Sequence, residues 1–164
     1  VNKTRPPHST SPFDRFAEFL TGMFAPRLLI YEKRPRWGPE LKRQFLRSDT
    51  PVRSVRTLSE AGELIAAGPP SVLIMDLRAG AGECLRFISR SRERGWPVRT
   101  LSSSSPATRD LEWVARELGA DHFVEENIGG EQMARLCRRY LKQLTAGDVA
   151  TADSTSPYSL STPV

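Results

Sequence analysis

Residues 71–76 read Ser-Val-Leu-Ile-Met-Asp, a continuous apolar run of strand-forming side chains closed by a carboxylate. A strand that is apolar at every position is buried on both faces, as the central strands of a parallel sheet are. An aspartate ending such a strand either caps the following loop or serves as a functional carboxylate at the open edge of the sheet. Gly68-Pro69-Pro70 precedes the run, and the loop after it reads Leu-Arg-Ala-Gly-Ala-Gly-Glu.

The same alternation of short apolar runs and amphipathic stretches extends on both sides. RLLIY (27–31) is a second buried strand, VRSV (52–55) a half-exposed one, and VRTL (98–101) and HFV (122–124) complete a set of five. Between them, Gly38-Pro39-Glu40 opens a helix, with proline at a first-turn position where its missing N–H costs nothing. Thr57-Leu58-Ser59-Glu60 has the spacing of a capping box, and the helix it starts stops at Gly68. A third helix covers 82–94. A fourth starts at Ser105-Pro106, with Ser105 as N-cap, and runs to Gly119. The last covers 130–144, with Met133, Leu136, Cys137, Tyr140, Leu141 and Leu144 on one face. Five strands alternating with five helices over residues 27–144 predict a doubly wound α/β domain with a five-stranded parallel sheet.

The flanks differ. Residues 12–24 place Phe13, Phe16, Phe19, Leu20, Met23 and Phe24 at helical spacing, which predicts an extra amphipathic N-terminal helix. Its aromatic stripe suits packing on its own domain, a partner or dimer contact, or a membrane surface. The first of these is expected, because the polar face lacks the basic enrichment of interfacial helices. Residues 1–11 and 145–164 are polar and aperiodic, so disordered tails are expected there.

With 164 residues, one domain with a sizeable core is expected. No run approaches the ~20 apolar residues of a membrane-spanning helix. Nothing resembles a secretory signal, and two isolated cysteines, Cys84 and Cys137, exclude a disulfide scaffold, so a cytoplasmic location is expected. The net charge of +5 lies wholly in residues 1–49, and seven basic against two acidic side chains fall within 27–47. The remainder is neutral, so the charge is local rather than a uniform field for nucleic acid.

In this layout a site forms at the carboxyl ends of the strands. The residues there are Glu32 and Lys33, Asp76, Ser102, and Glu125 with Glu126. RLLIYEKRP, SVLIMDL, PVRTLSS and LGADHFVEE, in that order and spacing, resemble the receiver domains of bacterial two-component response regulators, the CheY-like superfamily. The resemblance spans residues 27–144. It implies that Asp76 is the phosphoryl acceptor, Ser102 the hydroxyl that hydrogen-bonds the phosphoryl group, and Phe123 the aromatic switch position. It further implies Mg²⁺ on the acidic pair, on Asp76 and on the backbone carbonyl of Arg78, as a hard cation held by oxygens. The aspartate would be the nucleophile of an in-line phosphoryl transfer.

Several positions depart from the receiver pattern. The acidic pair is Glu32-Lys33, so Lys33 replaces one metal carboxylate. Glu126 stands at the usual lysine and Asn127 at the proline after it, and the loop following Asp76 lacks Met-Pro. Glu32, Asp76 and Glu126 against Lys33 leave a charge of −2, as in a standard pocket, but with the signs moved. A cation at the metal position and a carboxylate facing the incoming phosphoryl group oppose the transfer. A Lys33–Asp76 or Lys33–Glu126 pair is expected to satisfy the site without metal.

These residues predict a degenerate receiver: a non-enzymatic signalling module working by protein–protein contact with a sensor kinase, an output protein or a second copy. The alternatives are a phosphorylation-competent receiver using Asp76, with Glu32 still serving Mg²⁺, or a nucleic-acid binder using segment 27–47 and the last helix. In that helix Arg135, Arg138, Arg139 and Lys142 form a basic stripe, and Arg86, Arg90 and Arg94 repeat the spacing in the third helix. A solvated face is the expected role, since neither stripe has interleaved aromatics. Cys84 and Cys137 are expected to be buried apolar residues, and His8 and His122 carry no assigned role. The loop after the first strand has no Gly-rich phosphate fingerprint, which argues against a dinucleotide site.

Overall fold

The structure, a computed structural model, describes residues 25–151. The expected amphipathic helix 12–24, the tail 1–11 and residues 152–164 lie outside the described residues. Five strands, β1 (Arg27–Tyr31), β2 (Val52–Val55), β3 (Ser71–Asp76), β4 (Val98–Ser103) and β5 (His122–Val124), form one parallel sheet in the order β2-β1-β3-β4-β5. The helices are α1 (Trp37–Gln44), α2 (Leu58–Ala67), α3 (Ala81–Glu93), α4 (Glu112–Leu118) and α5 (Gly130–Thr151). The doubly wound expectation is met, and the order reverses between β1 and β3.

Side chains alternate across the sheet and thereby divide the core in two. Leu28, Ile30, Val72, Ile74, Leu101 and Val124 pack against Trp37 and Leu41 of α1 and Met133, Cys137 and Tyr140 of α5. Leu29, Tyr31, Leu73, Met75 and Phe123 face the opposite way, onto Ala61 and Ile65 of α2, Cys84, Phe87 and Ile88 of α3, and Ala115 of α4. Every residue of β3 is buried, which is why its sequence shows no polar alternation.

Helix starts follow the local chemistry. Thr57 Oγ1 accepts from the Glu60 N–H at 3.1 Å, while Glu60 reaches back to the Arg56 N–H at 3.0 Å, one residue beyond the usual partner of a capping box. At the other end of the domain α4 closes on Gly119, whose φ of +111° suits glycine and whose missing Cβ leaves room for the Arg92 side chain.

Three boundaries differ from expectation. β4 continues to Ser103, because Ser102 and Ser103 still pair with Met75 and Asp76 on one side and Phe123 and Val124 on the other. Residues 105–108 do not begin the fourth helix, and Ser105 is not its N-cap. The Ser105 N–H donates to Thr108 Oγ1 at 2.9 Å and the Thr108 N–H to the Ser105 carbonyl at 3.0 Å, so the segment closes on itself as a turn. A 3₁₀ turn, Arg109–Leu111, then leads into α4. The last helix runs seven residues past 144, to Thr151, where a tail was expected. Residues 145–151 contain no proline and include Ala146 and Ala150, and the Thr145 hydroxyl bonds back to the Leu141 carbonyl at 3.1 Å.

Candidate functional site

Asp76 ends β3, in register with Ser103 of β4 and one residue past the Tyr31–Met75 pair with β1, at the point where the strand order reverses. It is 2% exposed. Its Oδ1 accepts the Arg78 N–H at 3.0 Å and so starts the 3₁₀ turn Leu77–Ala79. That turn brings the Arg78 guanidinium back over the carboxylate. Arg78 Nε lies 3.1 and 3.0 Å from the two Asp76 oxygens, and a terminal nitrogen lies 2.9 Å from Oδ2. The other terminal nitrogen reaches Glu126 Oε1 at 3.4 Å. One guanidinium therefore bridges the carboxylates of β3 and of the loop after β5. Its hydrogen bonds to Asp76, aided by the charges of Asp76, Glu126 and Glu32 and opposed by burial, hold Arg78 above its ordinary pKa.

The cation of the site is thus Arg78, not Lys33. Lys33 is exposed and lines a cleft toward α2 and α3, and the expected Lys33–Asp76 and Lys33–Glu126 pairs are not formed. The resemblance assigned Arg78 only a backbone carbonyl, yet its side chain makes the principal contact. A sequence signal for this existed in the Asp-x-Arg spacing, since a tight turn after a capping aspartate returns residue i+2 toward the cap.

Glu32 has a different task from metal binding. Its Oε2 accepts the Arg36 and Trp37 N–H groups at 3.0 and 2.8 Å, and its Oε1 accepts the Gly38 N–H at 2.9 Å. These are orphan donors at the start of α1, so Glu32 acts as a remote cap favoured by the helix dipole. Gly38 is required for this, because a Cβ there would sit 2.8 Å from Glu32 Oε1.

Trp37 is the first residue of α1. It is buried, and its indole N–H donates to Ser103 Oγ at 3.0 Å, which ties α1 to the β4 end beside Asp76. Arg36 stacks over the Trp37 ring at 4.2 Å and donates to the Glu126 carbonyl. Ser102 and Phe123 are register partners on the opposite face, both buried, and Ser102 Oγ has no hydrogen-bond partner among the described residues. Asp76 and Glu126 are therefore brought together by Arg78, Ser102 and Phe123 are brought to each other, and Lys33 stands apart.

A divalent cation such as Mg²⁺ requires near-octahedral oxygen donors. Both Glu32 oxygens hold backbone N–H groups, both Asp76 oxygens hold Arg78, and no cluster of three or more ligating side chains exists among the described residues. The donor set in this arrangement does not fit that ion.

Three of the seven basic residues of segment 27–47 are engaged within the fold. Arg27 is directed to Ser71 and the Leu64 carbonyl, Arg36 to Glu126, and Arg43 to Glu40. On α5, Arg135 pairs with Glu131, and Arg138 donates to the Gln44 carbonyl over the Phe45 ring. Cys84 and Cys137 are buried as expected, and desolvation raises both thiols to about 12. No helix among the described residues is long and apolar enough to cross a membrane.

The sheet order and helix placement are those of response-regulator receiver domains. The chain is similar to the signal receiver domain of a LuxO repressor protein from Vibrio parahaemolyticus at 19% identity and a TM-score of 0.67, covering 76% of this chain and 96% of that one. It is similar to the receiver domain of TorR, the response regulator of the TMAO respiratory system, at 18% identity and a TM-score of 0.62, covering 72% and 98%. An atypical orphan response regulator aligns at 20% identity and a TM-score of 0.60, covering 71% and 95%. At the level of sequence, neither a family model nor a curated protein matches.

Proposed function

We propose that this chain is a receiver-type signalling module, not an enzyme, in which Arg78 takes the position of the metal ion and phosphoryl transfer to Asp76 is impaired. The observation that carries this reading is the guanidinium held on both oxygens of a buried Asp76 and in reach of Glu126. A bidentate arginine–carboxylate pair satisfies the acceptor in both charge and geometry. Attack on a phosphorus centre requires a free oxygen lone pair and compensation for the incoming negative charge. Here the lone pairs face a guanidinium, and the residue at the usual lysine position, Glu126, adds a negative charge instead of removing one.

Output then depends on protein–protein contact by the fixed conformation, with a sensor kinase, an output protein or a second copy as partner. The similar atypical orphan response regulator has a phosphorylation-independent regulatory mechanism, which supports this use of the fold. Acetyl phosphate with Mg²⁺, followed by intact-mass analysis, tests the reading. No adduct of about 80 Da is expected. An adduct that disappears in Asp76→Asn overturns it. In a parallel titration with Mg²⁺ and beryllofluoride, Trp37 beside the site should report no change.

A further inference from the structure

A second cleft lies on the face of the sheet that carries α2 and α3. It has a volume of about 500 Å³ and is walled by the end of β1, the β2–α2 junction and the first turns of α3. Four cations, Lys33, Arg56, Arg86 and Arg90, line it. All four are exposed, and none forms an ion pair with a described residue. The neighbouring Arg53, by contrast, is neutralised by Glu60 at 2.9 Å. Glu83 is the single carboxylate in the lining, so the cleft carries an excess of three positive charges.

Two further features make the cleft more than a charged patch. The start of the ten-residue α2 opens into it. The Glu60 N–H is taken by Thr57 Oγ1, which leaves the first-turn N–H groups of Leu58 and Ser59 without intrahelical partners. The floor is also apolar: Tyr31 and Phe87 are 3% and 4% exposed, and Leu58 packs against the same core. A cationic rim around aromatic and aliphatic surface suits a small ligand with several phosphate charges at one end and a ring at the other. A concave site of this volume is too narrow for a duplex and has the size of a small-molecule pocket.

We infer that this cleft binds a nucleotide-sized polyphosphate ligand, with Arg56, Arg86, Arg90 and Lys33 on the phosphates and the Phe87–Leu58 floor under the ring system. Guanidinium groups match phosphate oxygens in bidentate geometry, and the α2 N–H groups add donors of the same sign. The inference is independent of the state of Asp76.

The test is calorimetric titration of the full chain with ATP, GTP and inorganic tripolyphosphate at about 50 mM salt, where screening is weak. Saturable 1:1 binding of at least one nucleotide, tighter than tripolyphosphate, is expected. The Arg86→Gln/Arg90→Gln variant should lose roughly a hundredfold in affinity, about tenfold per charge-assisted contact. Arg135→Gln/Lys142→Gln removes the same charge from α5 and should bind as the unaltered chain does. Circular dichroism and a thermal melt on each variant separate lost binding from lost folding. Absence of saturable binding at millimolar nucleotide, equal loss in both double variants, or tighter binding of a poly-glutamate peptide than of any nucleotide overturns the inference.

Discussion

Arg78→Ala removes the guanidinium from Asp76 and leaves the carboxylate one remaining hydrogen bond, from the residue 78 backbone N–H. Breaking a fully buried ion pair by deleting one partner costs about 3–5 kcal/mol. An exposed pair is worth about 0–1 kcal/mol. This pair is mixed: Asp76 is 2% exposed and Arg78 36%, so water can reach the freed oxygens only from the rim. The expected loss is therefore about 2 kcal/mol, a fall of about 1 M in the urea midpoint for a domain of this size. Asp76→Asn keeps the shape and leaves Arg78 its contact with Glu126, so a loss of about 1 kcal/mol is expected. In the double variant the losses should fall short of additivity by about 1–2 kcal/mol. Measured by equilibrium urea unfolding, a coupling below roughly 0.5 kcal/mol would refute the claim that the pair holds the site together. The same variant tests the functional reading. With the guanidinium gone, Asp76 and Glu126 are free to attract a cation, so Mg²⁺ should raise the melting temperature of Arg78→Ala but not of the unaltered chain.

Four further outcomes follow from the site and its surroundings. Gly38→Ala places a methyl group against Glu32 Oε1 and Ser54 Oγ, so thermal unfolding should show a loss of about 1–2 kcal/mol as the α1 cap is displaced. Ser102→Ala deletes a hydroxyl with no described partner and should be neutral or stabilising by up to about 1 kcal/mol in urea unfolding. At pH 8, thiols raised to about 12 are thiolate in roughly one molecule in ten thousand. Iodoacetamide should therefore label Cys84 and Cys137 in urea but hardly at all in the native protein. Burial, together with Arg139 and Arg116 and against Glu112, lowers the pKa of His122 in the folded chain. The unfolded chain then binds more protons at mildly acid pH, so the stabilising contribution present above the unfolded value of about 6.5 is lost as pH falls below it. His122→Gln should flatten the stability profile between about pH 5 and 7.

The local elements were legible because each rests on short-range chemistry. The buried strand 71–76, the Thr57–Glu60 cap and the stop at Gly68 follow from residue type and spacing alone, and the structure places them where the sequence does. The start of α4 was not legible, because Thr108 and Ser105 compete for the backbone groups that a helix would use. The end of α5 was obscured by polar residues and Gly147, which resemble a tail in composition but include no proline to stop the helix.

By itself the sequence determined the alternating architecture, the burial of both cysteines and the position of Asp76 at the end of its strand. It also set Lys33 and Glu126 at odds with the receiver pattern that the chain resembles. Which cation answers Asp76 was decided only by tertiary structure. Lys33 and Arg78 both lie two residues past a strand end, and sequence distance does not distinguish them. The 3₁₀ turn after Asp76 folds Arg78 back over the carboxylate, while Glu32 is drawn to the α1 N–H groups and the chain beyond it carries Lys33 toward the cleft of α2 and α3. Each turn closes on short-range bonds, Asp76 Oδ1 with the Arg78 N–H and Glu32 with the N–H groups of residues 36–38, but which strand ends and loops lie side by side, and so which cation reaches both Asp76 and Glu126, is set by the pairing of strands distant in sequence.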